Sequence, residues 1–172
     1  MTRIVAILTS IFLAFALGTP VVAQTVILVR HAEKADQSAD PVLSGEGEAR
    51  AQALADRLRA SSIDLILTSS LQRTRLTAAA TAEAYGIEPV AIALDTSTEA
   101  HVADLVARVR AAPETSTILI VGHSNTVPMI ARALGQNTPD MPDCEYDRLL
   151  TLKLQGESVF GVTGRYGARS EC

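Results

Sequence analysis

The sequence predicts an α/β fold: a three-layer sandwich in which helices flank a mostly parallel central sheet, with an antiparallel hairpin at the C-terminal end. From Thr25 onward, short apolar runs alternate with helical stretches, which is the order of elements in α/β proteins. The first four runs are continuously apolar, as in parallel strands that are covered on both faces. The last two strand segments follow each other without a helix, which favours a hairpin.

The strands are placed by these apolar runs and by the turn residues between them. Parallel strands are predicted at 26–29, 65–67, 89–92 and 118–121. Segments 148–154 and 158–163 flank Gln155-Gly156-Glu157, a sequence typical of a tight hairpin turn. A helix is predicted after each of the four parallel strands, so that the sheet is covered by helices.

The helices are predicted from composition and spacing. Ala-rich helices are expected at 49–58, with Ser44 as the N-cap, and at 71–85, where Gly86 ends the helix. His101 lies beside the apolar stripe of the third helix and is expected at the surface. The third and fourth helices follow from apolar residues at i, i+3, i+4 and i+7: Val102, Leu105, Val106 and Val109, then Val127, Ile130, Ala131 and Leu134, with Gly135 closing the last helix.

Residues 1–23 are predicted to form a secretory signal peptide. Arg3 supplies the positive start, residues 4–17 the apolar segment, and Val21-Val22-Ala23 a small-residue cleavage site. A membrane anchor is the alternative, but a bilayer span needs about 20 apolar residues, and Gly18-Thr19-Pro20 interrupts this run. We therefore expect one domain at 24–172, periplasmic or secreted, with no stable membrane anchor after cleavage.

Charge and cysteine content narrow the classes of partner and site. Loss of the signal peptide removes Arg3 alone among the charged residues, so the net charge of −4 becomes −5, and nucleic acid is not an expected partner. Cys144 and Cys172 are the only cysteines, and export favours a disulfide between them. Antiparallel pairing about Gly156 brings Cys144 close to the chain end. Because no catalytic step is assigned to a thiol, the bridge is expected to act on stability and not on activity.

Polar side chains follow three of the predicted parallel strands. Arg30-His31-Ala32-Glu33 comes after the first strand, the run 68–74 with Arg73 after the second, and Gly122-His123-Ser124 after the fourth. In an open parallel sheet the ligand crevice lies at the carboxyl ends of the strands, so these residues should converge. Two guanidinium groups and helix N-termini suit a phosphate dianion. A neutral imidazole among them can accept a phosphoryl group as a nucleophile.

These blocks resemble the histidine phosphatase, or phosphoglycerate mutase-like, superfamily, and in particular its short exported members. The resemblance rests on Arg30-His31, on Leu43-Ser44-Gly45-Glu46-Gly47, on the run 69–78 and on Val121-Gly122-His123-Ser124-Asn125-Thr126. It covers essentially the whole chain after the signal peptide. It implies that the chain acts without a metal or organic cofactor.

The resemblance also assigns roles to individual residues. It implies that His31 becomes phosphorylated, that Arg30 and Arg73 bind phosphate oxygens, and that His123 completes the pocket. A carboxylate that protonates the leaving group is implied as well, with Glu33 as the first candidate and Glu99 as the second. The function expected from this set is hydrolysis of phosphomonoesters or of a phosphorylated protein side chain, so the substrate is a small molecule or a phosphoprotein.

Other functions are compatible with parts of the same pattern. Ser124 stands in most of a G-x-S-x-G nucleophile elbow, but that fold needs a histidine after the serine, and none follows His123. The pair His31-x-Glu33 resembles a zinc deaminase motif without its C-x-x-C, and two arginines would repel a dication. A noncatalytic anion-binding module stays open. A phosphomutase is less favoured, because the segment 85–117 leaves little chain for a lid that excludes water.

Overall fold

A computed structural model describes residues 22–94 and 97–172. Most of the predicted signal peptide, residues 1–21, lies outside the described residues. The elements of the described part follow the predicted order: β1 (Gln24–Arg30), α1 (Gly45–Leu58), β2 (Leu65–Ser69), α2 (Gln72–Tyr85), β3 (Val90–Ile92), α3 (Thr98–Ala111), β4 (Thr117–Gly122), α4 (Thr126–Ala133), β5 (Arg148–Gln155) and β6 (Ser158–Arg165).

The strands form one six-stranded mixed sheet in the order β3-β2-β4-β1-β5-β6. Strands β3, β2, β4 and β1 run parallel to one another, and β5 and β6 add an antiparallel hairpin at one side. The hairpin turn lies at Gly156 and Glu157, because Gln155 pairs with Ser158. The predicted fold class is confirmed, including the hairpin.

The helices cover both faces of the sheet. Successive residues of a strand point to opposite faces, so each buried strand contributes side chains to two cores. In β1, Val26 and Leu28 belong to one core with the apolar residues of α3 and α4. Ile27 and Val29 belong to a second core with those of α1 and α2. The two cores and the sheet between them are the three layers that the sequence predicted.

Helix α1 begins four residues before the predicted start. Ser44 caps it as expected, since its hydroxyl accepts from the amide of Gly47. Glu46 and Glu48 in the first turn favour the early start, because carboxylates stabilise the positive end of a helix. A Cβ at Gly47 would lie 2.3 Å from the carbonyl oxygen of Glu33. The helix therefore packs directly against the segment that follows β1.

His101 is buried, which corrects its predicted place at the surface. Its side chain is 2 % exposed, and Nδ1 lies 2.9 Å from the carbonyl oxygen of Ala93. The buried face of α3 is wider than the stripe used for the prediction. His101 lies four residues before the buried Leu105, and residues at i and i+4 share one helix face.

The C-terminal region confirms the predicted disulfide. Strand β6 ends at Arg165, and the chain then turns back so that the Cα atoms of Cys144 and Cys172 lie 5.4 Å apart in a bridged pair.

Among the described helices, none combines the length and the apolar character that crossing a membrane requires.

Candidate active site

The candidate site lies at the carboxyl ends of β1, β2 and β4, which are neighbours in the sheet. Arg30 ends β1 and His31 follows it, while His123 follows Gly122 at the end of β4. The amide of His31 donates to the carbonyl of Gly122 at 2.8 Å, which joins the two strand ends. The imidazole rings of His31 and His123 meet edge to face, with centroids 5.3 Å apart.

The His31 imidazole has the geometry of a neutral nucleophile. It is 4 % exposed, and Nδ1 lies 2.8 Å from the carbonyl oxygen of Ala32. Because a carbonyl oxygen only accepts, Nδ1 carries the proton and Nε2 keeps the lone pair. Burial lowers the pKa of His31 to about 4; the Ala32 carbonyl opposes this shift, and the positive charges of Arg30 and Arg73 reinforce it. The ring is therefore neutral at pH 7.

The His123 imidazole is oriented by two hydroxyl groups. Its Nε2 lies 3.0 Å from Ser69 Oγ, which lies 2.9 Å from Thr74 Oγ1. The Thr74 hydroxyl has the carbonyl of Leu71 as an acceptor at 2.8 Å. The Ser69 hydroxyl then donates to Thr74 Oγ1 and accepts a hydrogen bond from the N–H at Nε2 of His123. The lone pair of the His123 ring therefore lies on Nδ1. Burial lowers the pKa of His123 to about 3, with a further contribution from His31.

The guanidinium of Arg30 is buried against the segment that precedes β5. Its Nη1 donates to the carbonyls of Pro142 at 3.2 Å, Asp143 at 2.6 Å and Glu145 at 3.3 Å. Its Cζ lies 4.1 Å from the centre of the Tyr146 ring. Only 5 % of the residue is exposed, and among the described residues its Nε has no hydrogen-bond partner.

Arg73, at the start of α2, presents a second unsatisfied donor. Its Nη1 donates to the carbonyl of Ala39 at 3.4 Å, and its Nε is buried without a partner among the described residues. Burial lowers the pKa of Arg73, which Asp40 opposes. Each guanidinium lies close enough to lower the pKa of both histidines. Buried polar groups are normally paired, so two free cationic N–H groups at one site indicate a place for an anion.

Glu33 contacts a guanidinium rather than a histidine. Its two carboxylate oxygens accept from Nε of Arg50 in α1 at 2.8 and 2.9 Å, and Oε1 also accepts from Nη2 at 2.7 Å. Glu33 also lines a cavity of about 510 Å³ together with Arg50, Tyr146 and Ser170. Tyr146 connects this cavity to the site, since its ring lies 6.1 Å from that of His31. Glu99 is exposed in the first turn of α3.

The structure adds residues that sequence reasoning did not place at the site. Tyr146 and Asp143 come from a segment without regular structure before β5, so no strand end pointed to them. Asp143 is exposed, accepts from the Ser124 hydroxyl at 2.8 Å and lies 3.8 Å from Arg30 Nη2. Ser69 ends β2 and belongs to the motif quoted above, so its position could have signalled a role.

Within residues 22–94 and 97–172, no group of three or more histidine, cysteine or carboxylate side chains is placed to hold a metal ion.

Comparison with known families gives a match over the part of the chain that holds most of the predicted site residues. The family model of the histidine phosphatase superfamily, branch 1, matches residues 26–95, which include Arg30, His31 and Arg73. Over these residues the chain is similar to this superfamily. No curated protein matches the chain.

Several solved structures share the fold at low sequence identity. The protein histidine phosphatase SixA, solved with tungstate, is 18% identical, covers 85% of this chain and 96% of its own, and gives a TM-score of 0.62. The mycobacterial glucosyl-3-phosphoglycerate phosphatase is 17% identical, with 85% and 99% covered and a TM-score of 0.59. YhfR of Bacillus stearothermophilus is 19% identical, with 80% and 95% covered and a TM-score of 0.64. At these identities the comparison establishes the fold alone.

Proposed function

We propose that this protein is a histidine phosphatase that hydrolyses phosphomonoesters, or a phosphorylated protein side chain, through a phosphohistidine on His31. The observation that carries the proposal is the state of His31: neutral, with Nε2 unprotonated, beside the buried Arg30 and the half-buried Arg73, whose Nε donors are free among the described residues. A neutral imidazole can attack phosphorus, and fixed cations stabilise the charge on the phosphoryl oxygens as it is transferred.

The reaction takes two displacements. In the first, Nε2 of His31 forms a bond to phosphorus while the bond from phosphorus to the leaving oxygen breaks, and that oxygen takes up a proton. In the second, water forms a bond to phosphorus, the phosphorus–nitrogen bond breaks, and a proton from the water is released. The products are the alcohol and inorganic phosphate. Arg30, Arg73 and His123 would hold the phosphoryl oxygens through both steps.

The source of the proton for the leaving group has two structural candidates. Glu33 lines the cavity beside Tyr146, which offers room for a leaving group, but its carboxylate is already held by Arg50. Asp143 lies at the rim, 92 % exposed in its side chain and next to Arg30. We favour Glu33 as the proposed donor, because it lines a cavity together with Tyr146, whose ring lies 6.1 Å from that of His31.

The class of substrate follows from the family and from the shape of the site. The superfamily contains phosphatases and mutases, and similar structures include a protein histidine phosphatase and a phosphatase for a glucosylated phosphoglycerate. A mutase reaction requires water to be excluded from the phosphohistidine, and the exposed Asp143 beside Arg30 gives no support for such exclusion. A serine hydrolase gains no support, because the Ser124 hydroxyl donates to Asp143.

We also propose that the protein is exported after cleavage of residues 1–23. The disulfide between Cys144 and Cys172 supports export, since such bridges persist in oxidising compartments. Strand β1 begins at Gln24, directly after the predicted cleavage site, so cleavage there would leave every described strand and helix intact.

His31→Ala tests the proposed function against a noncatalytic anion-binding module. Wild-type enzyme should release phosphate from an aryl phosphate, and acid quench with labelled substrate should trap an acid-labile phosphoramidate on His31. The variant should lose both signals while it keeps its circular dichroism spectrum. Glu99→Gln, an exposed change in α3, serves as the control and should keep both. Turnover in the His31→Ala variant near the wild-type rate would exclude the mechanism, and a wild type without turnover would favour the binding module.

A further inference from the structure

The acceptors of Arg30 come from a short turn that holds the first cysteine of the disulfide. Residues 142–145, here called the arginine turn, are closed by a hydrogen bond from the amide of Glu145 to the carbonyl of Pro142 at 3.0 Å. Three of its four carbonyl oxygens accept from Arg30 Nη1. The fourth residue, Cys144, is bonded to Cys172 instead. One turn therefore binds the arginine on one side and the C-terminal tail on the other.

The tail is attached to the same region by a second contact. Ser170 Oγ accepts from the amides of Tyr146 at 2.8 Å and Asp147 at 3.1 Å, the two residues directly after the arginine turn. Tyr146 in turn covers the Arg30 guanidinium with its ring and accepts from Nη2 at 3.4 Å. The tail thus contacts the segment that holds Arg30 both at the turn and just after it.

The tail itself is fixed to the body of the domain. Arg50 of α1 donates through Nη1 to the carbonyls of Tyr166 at 3.1 Å and Ala168 at 2.9 Å. The same guanidinium holds Glu33, which lies two residues after His31. The tail that ends in Cys172 is therefore held in place by α1. The disulfide joins this tail to the arginine turn.

We infer that the Cys144–Cys172 disulfide is a positioning element of the phosphate pocket, which acts through the carbonyls that orient Arg30. The inference rests on the proposed role of Arg30 as a phosphate ligand. Arg30 is almost fully buried, and most of its hydrogen bonds go to backbone carbonyls of one turn. If the bridge is absent, the turn can move, and the guanidinium loses its fixed direction. Phosphate binding must then also order the guanidinium, and the free energy that this ordering requires weakens the affinity for phosphate.

This role differs from the one expected from the sequence, in which the bridge stabilises the fold and leaves activity unchanged. A purely stabilising bridge predicts equal phosphate affinity with and without it, as long as the protein is folded. A positioning bridge predicts weaker phosphate binding by folded protein, and the loss should depend on Arg30. These two outcomes can be separated by measuring binding and not stability.

The test is the dissociation constant of inorganic phosphate, measured by calorimetry at a temperature where every variant is folded. The variant that combines Cys144→Ser and Cys172→Ser should bind phosphate about tenfold more weakly than wild type, in the range of couplings within one hydrogen-bond network. In an Arg30→Ala background, the same two substitutions should cause no further loss. Ile63→Ala, a buried change before β2 at the opposite end of the sheet, is the control and should lower the melting temperature while phosphate affinity stays unchanged.

Reduction of the wild type with a phosphine gives a second measurement that needs no variant. Phosphate affinity should fall on reduction and return on reoxidation. Equal affinity in bridged and unbridged protein, or an equal loss in the Arg30→Ala background, would overturn the inference while the proposed function stands. If Arg30→Ala binds phosphate as wild type does, the proposed role of Arg30 is wrong, and the inference is wrong with it.

Discussion

At the scale of single residues, the site combines neutral histidines with one buried and one half-buried arginine. His31 and His123 are neutral because they are buried among positive charges, and Arg30 and Arg73 each keep a donor without a partner among the described residues. Such a site is incomplete without an anion: binding a phosphate would satisfy the free donors and relieve the repulsion between the cations. The residue-scale predictions therefore concern the arginines and the proton donor.

Arg73→Lys should lower kcat/KM by about a hundredfold, the size of effect seen when one preorganised donor to a transition-state oxygen is lost. Lysine keeps the charge but lacks the planar fork that binds two phosphate oxygens, so it should rescue poorly. Steady-state kinetics on an aryl phosphate measure the effect. Arg75→Lys, an exposed neighbour on the same helix, is the matched control. Full activity of Arg73→Lys would show that Arg73 does not bind phosphate directly.

Glu33→Gln should slow hydrolysis of alkyl phosphates far more than that of activated aryl phosphates, whose leaving groups hardly need a proton. Asp143→Asn tests the other carboxylate, and Glu99→Gln is the exposed control. The measured quantity is the dependence of kcat/KM on the pKa of the leaving group. If this dependence is steeper than in wild type for Asp143→Asn and unchanged for Glu33→Gln, Asp143 is the proton donor and Glu33 is not.

At the scale of elements, the first half of α2 holds both histidines in place. Thr74 accepts from Ser69, which orients His123. Thr77 accepts from the amide of Ala32 at 2.8 Å, and the carbonyl of Ala32 holds Nδ1 of His31. Arg73, which precedes these threonines, supplies the cation. One helix start therefore provides the proposed phosphate ligand and also orients both imidazoles.

Thr74→Val should lower kcat by about tenfold, because a small misplacement of a catalytic group is costly. The valine keeps the buried shape but removes the acceptor of the Ser69 hydroxyl, which can then donate to His123 Nε2 and reverse the tautomer. Nitrogen chemical shifts of the imidazoles would report this change separately from any loss of stability. Thr74→Ser keeps the hydroxyl and should retain both the tautomer and most of the rate. An unchanged tautomer in Thr74→Val would contradict the proposed network.

At the scale of the whole molecule, the buried histidines of the site lower the free energy of unfolding in acid. Histidines in an unfolded chain titrate near pH 6.5, whereas the pKa of His31 is lowered to about 4 and that of His123 to about 3 in the fold. Between these values the unfolded state binds more protons than the folded state, so stability falls as the pH is lowered from about 6.5. Asp36 and Asp147 have lowered pKa values as well, but they titrate below this range and contribute little to it.

His31→Asn should reduce the acid sensitivity of the free energy of unfolding. From pH 7 to pH 5 the wild type should lose on the order of 2 kcal/mol through His31 alone, and the variant should not show that share of the loss. Urea denaturation at both pH values measures it. Gln52→Ala, an exposed change in α1 that removes no titratable group, should behave as wild type. Equal losses in wild type and His31→Asn would show that His31 is not held neutral by burial.

The sequence by itself determined the fold class, the order of the elements and the motif residues. Buried strands must be apolar, and residues after parallel strands must meet at one sheet edge, so the positions of Arg30, His31, Arg73 and His123 along the chain were enough to assign them to one place. The disulfide followed from the hairpin register and the redox setting. These are local patterns or simple consequences of topology.

Only the tertiary structure decided which groups contact the site residues. Glu33 lies near His31 in sequence, yet its carboxylate is held by Arg50 of another element. His101 was expected at the surface and is buried, because the packing of α3 is wider than its apolar stripe. Tyr146 and the carbonyls around Arg30 come from a segment without periodic structure, which contacts the tail and is joined to it by the disulfide. Spacing along the chain carries no record of such contacts, since side-chain partners are chosen by packing in three dimensions.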